Sequence, residues 1–236
     1  MQLHYCSDYE AMSQKAAEFL TSELHERSDR LICTATGNSP LGLYEHLVSF
    51  KEALPDYSKS LRFIKLDEWG GIPMTDPNSC EVFVRDKILM PLEIPKERYL
   101  GFTSDCEEPE VECRRIQSEL EQKGPIDICI LGLGKNGHIG FNEPADFLLP
   151  HCHVAQLSEP SKKHQMVDRL STKPDYGLTL GMADILSSKK IILLITGKGK
   201  KEVVNRLMTQ EVSSQLPASF LWLHPHVHCY VDNSSM

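Results

Sequence analysis

A chain of 236 residues, 41% hydrophobic and 25% charged, can bury a substantial core, and its composition excludes the disordered and fibrous classes. A formal net charge of -8, with Lys and Arg scattered rather than gathered into a stripe, excludes a nucleic-acid binder but not binding of a small anion, which answers to local N–H groups and one or two cations. No apolar stretch nears the roughly 20 residues that span a bilayer, and the N-terminus lacks a basic region followed by an apolar run, so a cytoplasmic location without a membrane partner is expected.

In chain order, the first thirty residues read as a helix, with Tyr9, Met12, Ala16, Phe19, Leu20 and Leu24 at helical spacing. Leu31 to Ala35 is a short apolar run that stops at Thr36-Gly37-Asn38-Ser39-Pro40, after which Leu41, Tyr44, Leu47 and Val48 resume helical spacing. The same strand, turn and helix grammar recurs. Leu61 to Leu66 ends in Asp67-Glu68-Trp69-Gly70-Gly71, Ile126 to Leu131 ends in Gly132-Leu133-Gly134, and Ile191 to Ile195 ends in Thr196-Gly197-Lys198-Gly199-Lys200. Helical segments at Glu110 to Gln122 and Lys201 to Met208 separate the later runs, and the segment from Ser219 to His224 followed by His228 to Val231 supplies a short helix and a last strand. Apolar runs without polar alternation, spaced by helices, predict an α/β fold: a Rossmann-like, mainly parallel sheet with helices on both faces. With no linker and no low-complexity segment, residues 1–236 are expected to form one domain. Nothing in the size demands a partner, so monomer and homo-oligomer both stay open.

Ligands of such sheets bind at the C-terminal ends of the strands, where these turns cluster. Thr36, Gly37, Asn38 and Ser39 place small and hydroxyl residues where free N–H groups can wrap a phosphate; the alternative is an ordinary turn in which Ser39 caps a helix beginning at Pro40. Asp67 and Glu68 set adjacent carboxylates at the crevice, either as a base able to move a proton between sugar carbons or as a solvated acidic turn. The stretch from Gly132 to Pro144 is the most informative. Its glycines allow close approach to a ligand, and His138 and Glu143 offer a titratable pair on one loop. It partly matches the G-x-G-x-x-G dinucleotide fingerprint, but no clear helix follows Gly137 and the loop ends at Pro144. Lys198, Lys200 and the pair Lys162-Lys163 are cations that could balance a phosphate, or solvated surface lysines. His224, His226 and His228 alternate like a metal comb, yet Pro225 interrupts them and no metal site is expected. The eight cysteines are dispersed without a C-x-x-C pair and read as free thiols.

Taken in order, Ala35-Thr36-Gly37, Lys65-Leu66-Asp67-Glu68-Trp69, Leu131 to His138 and Pro217 to His224 resemble the glucosamine-6-phosphate isomerase/deaminase family, and more closely its galactosamine-6-phosphate branch. The resemblance implies an amino-sugar-phosphate substrate and no metal or organic cofactor. It further implies that Asp67 is the base working between C2 and C1, that His138 is the ring-opening histidine, and that Glu143 supports it. Thr36, Gly37, Asn38, Ser39, Lys200 and one of Lys162 or Lys163 would hold the 6-phosphate. Two positions depart from glucosamine-type members: Asn136 stands where many carry an aspartate beside the histidine, and Lys162 stands for an arginine at the phosphate. The related lactonases share the scaffold without needing a C2 base, and a non-catalytic sugar-phosphate sensor is the remaining alternative.

Overall fold

A computed structural model describes residues 1–53, 57–162 and 167–235. Its strands, in chain order, are β1 (Gln2–Cys6), β2 (Leu31–Thr34), β3 (Arg62–Lys65), β4 (Asp67–Trp69), β5 (Tyr99–Leu100), β6 (Ile128–Gly132), β7 (His153–Gln156), β8 (Tyr176–Thr179), β9 (Lys190–Ile195) and β10 (Val227–Asp232). The helices are α1 (Tyr9–Glu26), α2 (Asn38–Ala53), α3 (Cys80–Val84), α4 (Pro109–Lys123), α5 (Glu159–Lys162), α6 (Met182–Leu186) and α7 (Lys201–Met208). The main sheet has seven strands in the order β1-β10-β9-β6-β2-β3-β5, and every pairing in it is parallel.

Strand alternation sorts the apolar runs onto two faces. Ile32, Phe63, Ile128, Ile130, Ile192 and Leu194 pack with Met12, Leu20, Leu43 and Leu47 of α1 and α2. Their neighbours Cys33, Ile64, Cys129, Leu131 and Leu193 pack on the other face with Ile116 of α4, Ile185 of α6 and Leu207 of α7. Both faces are therefore covered, which is why the central runs carry no polar alternation.

From β2 the chain winds outward through β3 and β5, then returns to β6 on the other side and continues through β9 and β10. The reversal lies between β2 and β6, so the turns after these two strands flank the crevice in which open α/β sheets bind ligands. The four turns singled out in the sequence follow β9, β6, β2 and β3, which are neighbours in the sheet.

Three local expectations change. The first residues are not helical: Gln2–Cys6 is an edge strand in register with His228 to Asp232, and the helix begins only after Asp8, whose side chain accepts the Ala11 N–H at 2.8 Å. Pairing with β10 overrides the local helical pattern there. Helix α2 starts at Asn38 rather than Pro40. Asp67-Glu68-Trp69 is no turn but a buried strand of a second, antiparallel sheet ordered β4-β8-β7. The histidine comb is dispersed: buried His224 binds the Ser188 carbonyl through Nε2 at 2.7 Å, whereas His228 lies on β10 and stacks on Phe19. Among the described residues no group of three or more His, Cys, Asp or Glu could hold a metal. All eight cysteines are free.

Candidate active site

Only Leu66 separates β3 from β4, so the chain steps from the parallel sheet into the small antiparallel one at the mouth of the crevice. The Leu66 N–H bonds the Thr34 carbonyl and its own carbonyl accepts the Leu180 N–H, which pins the step between the sheets. Asp67 follows at 8% exposure, and among the described residues no hydrogen-bond donor reaches its carboxylate. Burial, and secondarily the charge of Glu68, pushes this carboxyl up to about 7 against the opposing pull of Lys65. An acid poised near neutrality can both take and return a proton. Glu68 does not share the crevice. It is fully buried, turned to Lys65 and to the backbone N–H groups of Cys80 and Glu81.

The loop after β6 curls back on itself through bonds from Gly134 N–H to the His138 carbonyl and from Gly137 N–H to the Gly134 carbonyl. The His138 ring lies directly over Gly134, where a Cβ would come within 2.4 Å of the imidazole. Farther on, Gly140 takes a left-handed φ of +57°, and a Cβ there would come within 2.8 Å of the Thr179 hydroxyl and 3.6 Å of the Asp67 carboxylate. Asn142, 2% exposed, anchors the loop by donating to the carbonyls of Ile139 and Leu180.

His138 Nδ1 sits 3.3 Å from Glu143 Oε2. The same oxygen accepts from the Asn136 amide at 2.8 Å, and the other accepts a short hydrogen bond from the Ser161 hydroxyl. Burial acts to raise the Glu143 carboxyl, but the hydrogen bond and charge of His138, helped by Ser161 and Asn136, outweigh it and hold the group at about 2. Glu143 therefore stays anionic and fixes the imidazole. Asn136 acts elsewhere than on the ring: its amide holds Glu143, and its oxygen accepts the His138 backbone N–H at 3.2 Å. Ser161, from α5, was passed over in the sequence, where one serine in a polar segment carries no signal. Its hydroxyl, 3% exposed as a residue, also lies 3.5 Å from His138 Nδ1.

The turn after β2 meets this constellation from the side. Thr36 donates to the buried Cys80 thiol at 3.3 Å, Gly37 has φ +91°, and a Cβ on Gly132 would lie 3.5 Å from the Ser39 side chain. Gly37 and Asn38 also line a cavity of about 220 Å³ bounded by Asn78, Ser79, Lys87 and Arg169. Among the described residues neither Lys87 nor Arg169 forms an ion pair, and the one carboxylate lining the cavity, Asp86, is paired with Arg85 at 2.8 Å. Arg169 left no trace in the sequence reading, because it follows no strand end. Lys200 lies half-buried at the start of α7; burial, and then the charge of Lys135, lowers its ammonium to about 8. Lys198 is exposed, and Lys162 ends α5 beside Ser161 with Glu159 at 3.8 Å. Lys163 lies outside the described residues.

A buried carboxyl near neutrality, facing a loop that presents an imidazole locked to a permanent carboxylate, defines an α/β acid–base enzyme with its site at the C-terminal ends of parallel strands. The chain belongs to the family of glucosamine-6-phosphate isomerases and 6-phosphogluconolactonases, whose pattern matches residues 7–229. It is 40% identical over 231 residues to an Escherichia coli (strain K12) protein provisionally named the deaminase AgaI, covering 98% of this chain and 91% of that one. Against glucosamine-6-phosphate deaminase 1 of Bacillus subtilis (strain 168) it is 33% identical, covering 100% of this chain and 98% of that one. The solved structure of a monomeric glucosamine-6-phosphate deaminase superposes with a TM-score of 0.94 at 33% identity, covering 100% and 98% of the two chains. A 6-phosphogluconolactonase from Trypanosoma cruzi shares the fold, with a TM-score of 0.81 at 20% identity over 98% of this chain and 94% of that one.

Proposed function

We propose that this protein deaminates and isomerises an amino-sugar 6-phosphate, converting galactosamine 6-phosphate and water to tagatose 6-phosphate and ammonia. The observation that carries the reading is Asp67, buried without a donor, together with the His138–Glu143 pair on a loop whose Gly140 faces Asp67, where a Cβ would lie 3.6 Å from its carboxylate. A lactonase needs no base at C2, because ester hydrolysis moves no proton between carbons.

His138, oriented by Glu143, shuttles the proton between the C1 hydroxyl and the ring oxygen and opens the sugar. Asp67 then removes the C2 proton to give an enolamine and returns a proton to C1. The resulting ketimine adds water and releases ammonia, leaving the ketose. The N–H groups at the start of α2, from Thr36 to Ser39, together with Lys200, hold the phosphate, with Lys162 as a further candidate cation and Arg169 lining the cavity beside Gly37 and Asn38. Support for the galactosamine epimer comes from the segments Lys65 to Trp69, Leu131 to His138 and Pro217 to His224. Of these, Lys65 and Glu68 are fully buried and cannot touch substrate. Glucosamine 6-phosphate giving fructose 6-phosphate is the alternative, carried by the names of the relatives near 33% identity.

Ammonia release from the two epimers, assayed in parallel on purified protein, tests the reading. Faster release from the galactosamine epimer is expected. Faster release from the other changes only the substrate, and release from neither overturns the deaminase function.

A further inference from the structure

Asp67 and Glu68 are successive residues of β4, so their side chains leave opposite faces of the strand. Behind Asp67, Glu68 is saturated. One oxygen accepts the N–H groups of Trp69 at 2.9 Å and Cys80 at 3.0 Å, and the other accepts the Glu81 N–H and the Lys65 ammonium, each at 2.7 Å. Lys65 has no exposed surface. It donates further to Glu81 Oε2 at 2.7 Å and to the Phe102 carbonyl at 3.2 Å, and the Tyr99 hydroxyl donates to that same Glu81 oxygen at 2.7 Å. Burial acts against the Lys65 charge, but Glu68 and Glu81 outweigh it, and the ammonium is held above its ordinary value. Two carboxylates against one ammonium leave the cluster one negative charge in excess. Buried ion clusters of this kind gain little stability over apolar replacements, because desolvation offsets the attraction, so stability alone does not account for this one.

We propose that Lys65, Glu68 and Glu81 are positioning residues that act on the reaction through Asp67, setting from behind the strand how tightly that carboxylate holds its proton. The inference rests on Asp67 being the base. Glu68 is the nearest charge to Asp67 along the strand and favours its protonated form, Lys65 opposes it, and Glu81 with the Phe102 carbonyl fixes where Lys65 sits. The other titratable groups that β2, α2 and α3 bring to Asp67 carry no charge. Cys33 of β2, Tyr44 of α2 and Cys80 of α3 are all held neutral by burial first of all. β8 presents Thr179 opposite Asp67, and the glycine loop meets it with Gly140, its own pair His138 and Glu143 being bonded to each other. The proton affinity of Asp67 is therefore a balance between desolvation and two opposite charges, and each charge can be removed separately.

The test is a carbon-13 titration of the Asp67 carboxyl, identified by its loss in D67N, alongside the pH profile of kcat/KM for ammonia release. Glu81→Gln keeps an acceptor for Tyr99 and Lys65 while removing a negative charge, and Glu68→Gln removes the nearest one. Glu68→Gln is expected to move the titration and the acid limb down by roughly half to one and a half pH units, and Glu81→Gln, which acts through Lys65, in the same direction by less. Lys65→Met is expected to move them up, and where it fails to fold the two glutamine variants carry the test. Opposite shifts for opposite charges are what a purely structural role would not produce. Titrations of folded Glu81→Gln and Glu68→Gln that coincide with wild type overturn this inference alone, whereas wild-type turnover by D67N overturns the assignment of the base.

Discussion

Ser161 shows how much of the site depends on one hydroxyl. It is the donor to one oxygen of Glu143 while Asn136 and His138 occupy the other, so the carboxylate cannot rotate away from the imidazole. Ser161→Ala leaves that oxygen without its donor and is expected to lower kcat about 3- to 30-fold with KM little changed, at a stability cost of about 1 kcal/mol. A rise in KM with kcat unchanged would place Ser161 in substrate binding instead. Asp67 has the opposite relation to stability. Its carboxyl is raised from 3.8 to about 7, so the folded chain holds this proton more tightly than the unfolded one. The stabilisation is complete below about 3.8 and is lost as pH rises through about 7, by an amount on the order of 2–4 kcal/mol. At pH 8 the wild type carries a buried, donorless carboxylate. Asp67→Asn is therefore expected to abolish ammonia release while raising Tm by roughly 2–8 °C at that pH, the cost of the new unpaired amide included. A D67N protein less stable than wild type at pH 8 would contradict the account of this carboxyl.

Among the elements, the loop after β6 converts its glycines into geometry in two different ways. Gly140 is there for its left-handed backbone, and Gly134 is there for space. A Cβ on Gly134 would meet three ring atoms of His138 at 2.4 to 2.5 Å, and the cheapest relief is for the imidazole to swing off Glu143. Gly134→Ala is expected to cut turnover at least about 100-fold while leaving the circular dichroism unchanged, because the obstructed atoms belong to a side chain and not to the backbone. Retained turnover would mean that the ring need not sit there. The loop's importance was legible in the sequence because glycines and a His–Glu pair at a strand end are a local signal. The strands β2, β6 and β9 were legible because short, mostly apolar runs need both faces covered, and β3 was legible from Leu61, Phe63, Ile64 and Leu66 around its charged Arg62 and Lys65. The reading of Asp67-Glu68-Trp69 as a turn failed because its polar letters hide a strand in which Glu68 is satisfied by Lys65 and by the backbone N–H groups of Cys80 and Glu81, partners that no local pattern marks. Ser161 and Arg169 were invisible for a related reason. Their neighbours in space are far away in sequence, and no period marks them.

At the scale of the molecule, the two ends of the chain are joined: β1, near the N-terminus, closes the sheet edge against β10, near the C-terminus. That pairing could not be read locally, since β1 has only Cys6 fully buried and no apolar run of its own. Across the seam His4 Nε2 and His228 Nδ1 lie 3.4 Å apart, with Tyr230 stacked on His4 at 4.5 Å and Phe19 on His228 at 4.0 Å. Burial first, then Lys15 for His4, and the charges of His4 and Lys190 for His228, pull both imidazoles below 6.5. Their sign is opposite to that of Asp67. A histidine kept neutral in the fold but free to charge in the unfolded chain gives stability that is present above 6.5 and is lost as pH falls through its folded value. Glu143, held at about 2, adds a loss of the same sign only below 4.5. Between pH 7 and 5 the wild type therefore combines a gain at Asp67 with a loss at the seam, and its Tm should vary little. Asp67→Asn removes the gain and leaves the loss, so its Tm should fall steadily from pH 7 to 5 while the wild-type curve stays flatter. Adding His228→Phe, which preserves the stack on Phe19, should flatten the D67N curve in part, His4 keeping its own share of the loss. Parallel Tm curves for wild type and D67N would show that Asp67 binds no extra proton in the fold, and its place as a base poised near neutrality would fall with them.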